Sequence, residues 1–199
     1  MMHHLFSLTL TALLLLGCRP EDTTPVGRYR TAIKEGLEAP AAPMETVLGI
    51  DLGIPAQEFF DRCTALNQQQ LITMGGGGGT VVDHVMPNDL NRPALMTFHP
   101  IFIGEPRTLQ ALELSFRYDD WSPWNKRASA DTLLPDVAAY FANTLGTELI
   151  DLQHPRRKRV FASVDRNRLL TLWREDDSTV KGMITDLSTL TGDPLELLQ

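Results

Sequence analysis

Thr108–Tyr118 reads TLQALELSFRY. Its second part alternates strictly: Leu112, Leu114, Phe116 and Tyr118 fall on one face, Glu113, Ser115 and Arg117 on the other. A period of two with one apolar face marks a half-buried strand of an antiparallel sheet. A second long strand candidate, residues 94–103, precedes it across Gly104-Glu105-Pro106-Arg107. Pro100 within that strand cannot donate to a ladder, which predicts an edge or a bulge there.

Working outward, the pattern changes period. Pro55 suits the first turn of a helix, where its missing N–H costs nothing. Ala56, Phe59, Phe60, Cys63 and Leu66 then recur at offsets of three and four, one apolar stripe. Downstream, Ser129 or Asp131 offers an N-cap, and Leu134, Val137, Ala138, Phe141 and Leu145 form a second stripe that Gly146 is placed to end. Shorter strands are expected at 71–74 and 80–86, then at 149–152, 160–164, 169–174 and 180–186, with polar turns at 165–168 and 175–178. Five glycines at 75–79 lead into Thr-Val-Val, not into Lys-Ser/Thr and a helix, so they predict a hairpin tip, not a phosphate loop. The expected fold is α+β: two amphipathic helices packed on one face of an antiparallel sheet, in an order that divides into two helix-plus-meander halves.

With 199 residues, 43% hydrophobic and 22% charged, the chain suits one globular domain. That domain is expected at 47–188, followed by a C-terminal tail at 189–199. The net charge is −7, and none of it lies in residues 1–17. An acidic surface argues against nucleic acid as partner.

Residues 5–16, LFSLTLTALLLL, are too short to span a bilayer, which takes about 20 residues, and match a signal-peptide core. Leu15-Leu16-Gly17-Cys18 follows directly and resembles the lipobox of bacterial lipoproteins: a large aliphatic residue, a small residue, then cysteine. The resemblance covers residues 1–18. It implies a cleaved leader at 1–17 and diacylglyceryl and acyl (palmitate-type) groups on Cys18. It further implies a protein of the cell envelope held on a membrane by lipid, expected on the periplasmic face of the outer membrane. Residues 18–46 carry Pro20, Pro25, Pro40 and Pro43 and read as a lipid-anchored tether, in which Arg28–Leu37 could turn helical transiently but has apolar positions too sparse to demand packing. The Gly53-Ile54-Pro55 entry to a helix that feeds a meander is similar to small outer-membrane assembly lipoproteins of the BamE type and to the β-lactamase-inhibitor-protein fold. That likeness bears on fold alone.

Chemistry is sparse. With Cys18 lipidated, Cys63 has no disulfide partner, and its place on an apolar stripe predicts an inert thiol. His84, His99 and His154 show no metal-ligand spacing, and no cofactor is implied. Asp119 and Asp120 beside Trp121 suggest an alternative reading as a small hydrolase or sugar-binding enzyme, working with a histidine. Trp121 and Trp124 share one loop, which is either an interface or a plug on the core. Arg156, Arg157, Lys158 and Arg159 form a basic run, read as a solvated hairpin tip or a second contact patch. The expectation is a binding or scaffold module for a protein or glycan partner, with Trp121, Trp124 and Arg156 to Arg159 as its candidate residues.

Overall fold

A computed structural model of the chain describes residues 22–40, 44–75, 81–190 and 194. Among them it is mixed α+β, with three helices, an eight-stranded antiparallel sheet and a separate two-stranded sheet. Helix α1 (Pro25–Glu38) comes first, then the small sheet of β1 (Met44–Glu45) and β2 (Asp51–Leu52). Helix α2 (Ala56–Gln68) leads into β3 (Thr73–Met74), β4 (Val82–Met86), β5 (Ala94–Ile103) and β6 (Thr108–Tyr118). Helix α3 (Ala130–Leu145) leads into β7 (Ile150–His154), β8 (Lys158–Asp165), β9 (Arg168–Arg174) and β10 (Val180–Asp186).

The order across the large sheet is β3-β4-β5-β6-β10-β9-β8-β7. Each half is therefore a helix followed by a four-stranded meander. The halves meet where their last strands pair, with Val180 opposite Phe116 and Ile184 opposite Leu112.

The alternation in β6 sets the main core. Leu112, Leu114, Phe116 and Tyr118 are all buried, whereas Arg117 is exposed. They share a cluster with Phe59 of α2, with Leu133, Val137 and Phe141 of α3, and with Leu170 and Leu172 of β9. Phe116 meets Phe141 edge to face, with centroids 6.0 Å apart. Gly146 ends α3 in the left-handed conformation, where a Cβ would be strained.

A second cluster joins Tyr29 and Ile33 of α1 to Ile150, Leu152, Ala162, Leu169 and Leu187. Leu169 belongs to this cluster and Leu170 to the main one, and neighbours on a strand point to opposite faces. Helix α1 thus covers the far face of the sheet, a layer that an arrangement of two helices on one face leaves out.

The reading of 18–46 as an extended tether fails over 25–38. Thr24 caps the helix through Gly27 N–H at 3.1 Å, and Pro25 stands at its start. The buried side of α1 is Gly27, Tyr29, Ile33 and Gly36. Two of those four are glycines, which add nothing to an apolar stripe, so the periodicity is nearly invisible in the sequence. The 189–199 tail is also tied at its described positions: the Gln110 side chain donates to the Thr189 carbonyl, and the Tyr29 hydroxyl donates to the Pro194 carbonyl at 2.8 Å.

Pro100 is not on an outer strand, since β5 lies between β4 and β6. Its described pairing with β4 stops at Phe98, and the register with β6 slips between Ile101 and Phe102. The missing N–H therefore falls where the ladder is already incomplete. The glycine tip lies largely outside the described residues.

Candidate functional site

Cys18 and its lipobox lie outside the described residues. No helix among those residues is long and apolar enough to cross a membrane.

The tryptophan loop leaves the end of β6 and is braced at several points. Asp119 N–H donates to the Pro93 carbonyl at 3.0 Å, and Trp121 N–H to Tyr118 at 3.3 Å. Asp120 accepts from Arg92 at 2.7 Å and from the Asn125 amide at 3.2 Å. The two tryptophans take different roles. Trp121 is partly buried and packs against the main core, whereas Trp124 is 91% exposed. A groove of about 700 Å³ runs beside the loop, lined by Trp121, Asn125, Lys126, Asp131, Arg174 and Asp177.

Asp119 and Asp120 do not meet a histidine. His99 sits opposite Glu113 on β5, so it lies about 17 Å short of Tyr118 at ~3.4 Å per residue along β6. His84 binds the Leu71 carbonyl at 2.6 Å, and His154 ends β7 at the other edge of the sheet. The carboxylate–histidine pair that the alternative enzymatic reading requires is not formed among the described residues.

The basic run occupies the β7–β8 turn, and its four cations differ in what they touch. Arg157 folds over β9, its guanidinium carbon 3.8 Å from the centroid of the Trp173 ring. Arg159 donates to both oxygens of Asp151, at 2.7 Å from Nη2, and stacks 4.5 Å above Phe161. Hydrogen bonding to Asp151 is the main reason its pKa is raised. Arg156 and Lys158 are exposed and form no ion pair among the described residues. All four still line one surface depression of about 420 Å³, which they share with Asp131, Arg174 and Glu175, although Arg157 and Arg159 are each tied to a neighbouring strand.

Between this turn and α1 the sheet face carries a groove of about 480 Å³. His154, Arg156 and Arg157 form one end, with Trp173, Thr171 and Thr185 along it. His154 shapes the turn: its Nδ1 accepts the backbone N–H of Arg156 at 3.1 Å and of Arg157 at 2.9 Å. With Nδ1 accepting, the ring is neutral and its hydrogen sits on Nε2. Burial, then the charges of Arg157 and Arg156, lowers the His154 pKa and keeps it so. Trp173 Nε1 donates to Glu175 at 2.9 Å, which fixes the indole edge beneath Arg157.

Sequence reading missed Thr171, Trp173 and Thr185 as site residues. They sit on two strands that no local spacing connects, and register alone brings them together. Thr171 opposite Met183 and Leu169 opposite Thr185 build the groove floor.

Cys63 is half-buried against the main core and free. Burial pushes its thiol up to about 11, which keeps it protonated at neutral pH.

In comparisons with protein families, curated proteins and solved structures, the chain matches none of them.

Proposed function

We propose that this chain is a lipid-anchored module of the bacterial envelope that binds a protein or glycan partner at the membrane without catalysing a reaction. Cys18 would carry the acyl chains, each buried methylene contributing about 0.8 kcal/mol to anchoring. Helices α2 and α3 shield one face of the sheet, and the loops at its ends present side chains to a partner. The observation that carries this reading is Trp124. It is 91% exposed, yet it stands on a loop braced by Arg92, Asp120 and Asn125. The braced loop needs little backbone ordering on binding, and an exposed indole brings large apolar area, which makes tryptophan a frequent interface hot spot. Arg19, not aspartate, follows Cys18, which in lipoproteins of this kind favours the outer membrane, and the periplasmic face is the location we propose.

The test is affinity purification from crosslinked membranes with the unchanged chain, Trp124→Ala and Cys18→Ala. The expected result is partner recovery with the unchanged chain, loss of it with Trp124→Ala, and release of Cys18→Ala into the soluble fraction. Equal membrane retention of Cys18→Ala removes the anchor from this reading, and equal recovery with Trp124→Ala removes the tryptophan.

A further inference from the structure

The groove on the α1 side of the sheet contains polar groups that the fold itself does not use. His154, Thr171 and Thr185 are 7%, 5% and 8% exposed, so each is more than nine-tenths buried. All three line the groove. His154 uses Nδ1 in the turn, but among the described residues Nε2 has no hydrogen-bond partner, and neither do the hydroxyls of Thr171 and Thr185. None of the three atoms is sealed from the groove. Solvent reaches all three in the free protein, so a ligand that displaces this water must supply polar groups at the same three places or lose affinity.

Charge and length narrow the ligand. At the turn end stand Arg156, with no acidic partner among the described residues, and Arg157, with Glu175 beside it. With His154 neutral, the described groups at this end sum to one positive charge, which suits a monoanion. From Trp173 to Leu169 the groove follows β9 for about 13 Å, the span of about four extended residues. The register spaces its contents: Trp173 near the arginines, Thr171 beside Met183 in the middle, Leu169 beside Thr185 at the far end. Apolar and hydroxyl groups therefore share the floor. A plain acyl chain would cover the apolar part and leave both hydroxyls unpaired. A peptide supplies amides to the hydroxyls and side chains to Trp173 and Met183.

We propose that this groove receives the free C-terminal end of a short extended peptide, with the terminal carboxylate at Arg156 and the His154 Nε2–H. The last side chain packs on Trp173 and Met183, and the preceding amides meet Thr171 and Thr185. Neither Cys18 nor Trp124 enters this assignment, so its failure and that of the anchored-module reading are separable.

The test is shift mapping and calorimetry on the isotope-labelled full chain with N-acetyl-Ala-Ala-Ala-Leu as free acid, the same peptide as its amide, and decanoate. The free acid is expected to bind and to shift residues around His154, Thr171, Trp173 and Thr185. The amide is expected about tenfold weaker, the effect of losing one charged hydrogen bond. Arg156→Gln is expected to bring the acid down to the amide's level, and this exposed side chain has no structural partner among the described residues. Thr171→Val is expected to weaken both peptides about fivefold. Met183→Trp, which fills the groove and removes no polar group, is expected to abolish binding. Equal affinity for acid and amide, shifts elsewhere on the protein, or binding of decanoate but not of the peptide overturns the proposal.

Discussion

The Arg157 guanidinium lies flat over the indole of Trp173, 3.8 Å from carbon to ring centroid, and joins the β7–β8 turn to β9. Contacts of this kind contribute about 0.5–2 kcal/mol, more when desolvated. Arg157→Ala is therefore expected to lower unfolding free energy in urea by about 1 kcal/mol. Arg156→Ala, one residue away and exposed, is expected to change it by less than about 0.5 kcal/mol. Equal effects from the two substitutions would remove the stacked pair as a stabilising contact.

Gly36 places α1 against the turn between β8 and β9. A Cβ there would lie 2.4 Å from the Arg166 carbonyl oxygen and 2.7 Å from a Val164 methyl. Backbone cannot move aside as a side chain can, so Gly36→Ala is expected to cost about 1–3 kcal/mol through overpacking. The loss should appear first as faster amide exchange in residues 25–38, with β6 and β10 still protected. Unchanged exchange in α1 would show that the helix does not approach the sheet this closely.

Burial holds the Cys63 thiol up near 11, from an ordinary value of 9.0. At pH 8 the folded protein then has about a hundredfold less thiolate than the unfolded chain. Disulfide-reagent labelling is expected to be slower by about that factor in the native state, before any steric block. The folded pKa is raised, so this group's contribution to stability is complete below about 9 and is lost as pH rises toward 11. Native labelling as fast as in denaturant would contradict a buried thiol.

His154 makes the opposite prediction. Its folded pKa is lowered, so the contribution of the neutral ring is present above the unfolded value of 6.5 and is lost as pH falls below it. Nitrogen-detected NMR at pH 7 should show the Nε2–H tautomer, because Nδ1 accepts from Arg156 and Arg157. Observing hydrogen on Nδ1 would rule out the turn as described.

Much of the fold was legible in short-range pattern. The period-two alternation of 112–118 set β6 and its buried face, and the three-four spacing through Phe59 and Phe141 set α2 and α3. Both signals are local, and each needs only one neighbour to bury against. The packing of α1 was not legible: Arg28–Leu37 reads as a transient helix at most, since glycines at 27 and 36 stand where apolar residues would have signalled a stripe. Its burial follows from close approach to the β8–β9 turn, which is a fact about distance. The candidate site divided in the same way. Trp124 and the Arg156–Arg159 run stood out by composition, but composition could not say that Trp121 packs inward or that Arg157 and Arg159 turn to different strands.

By itself, the sequence determined the types and most of the bounds of α2, α3 and the strands of the large sheet, because these depend on residues close along the chain. The tertiary structure alone decided that β6 pairs with β10, that α1 covers the second face, and that His154, Thr171 and Thr185 share one groove. Those outcomes depend on strand register, which places residues far apart in sequence on the same few ångströms of sheet.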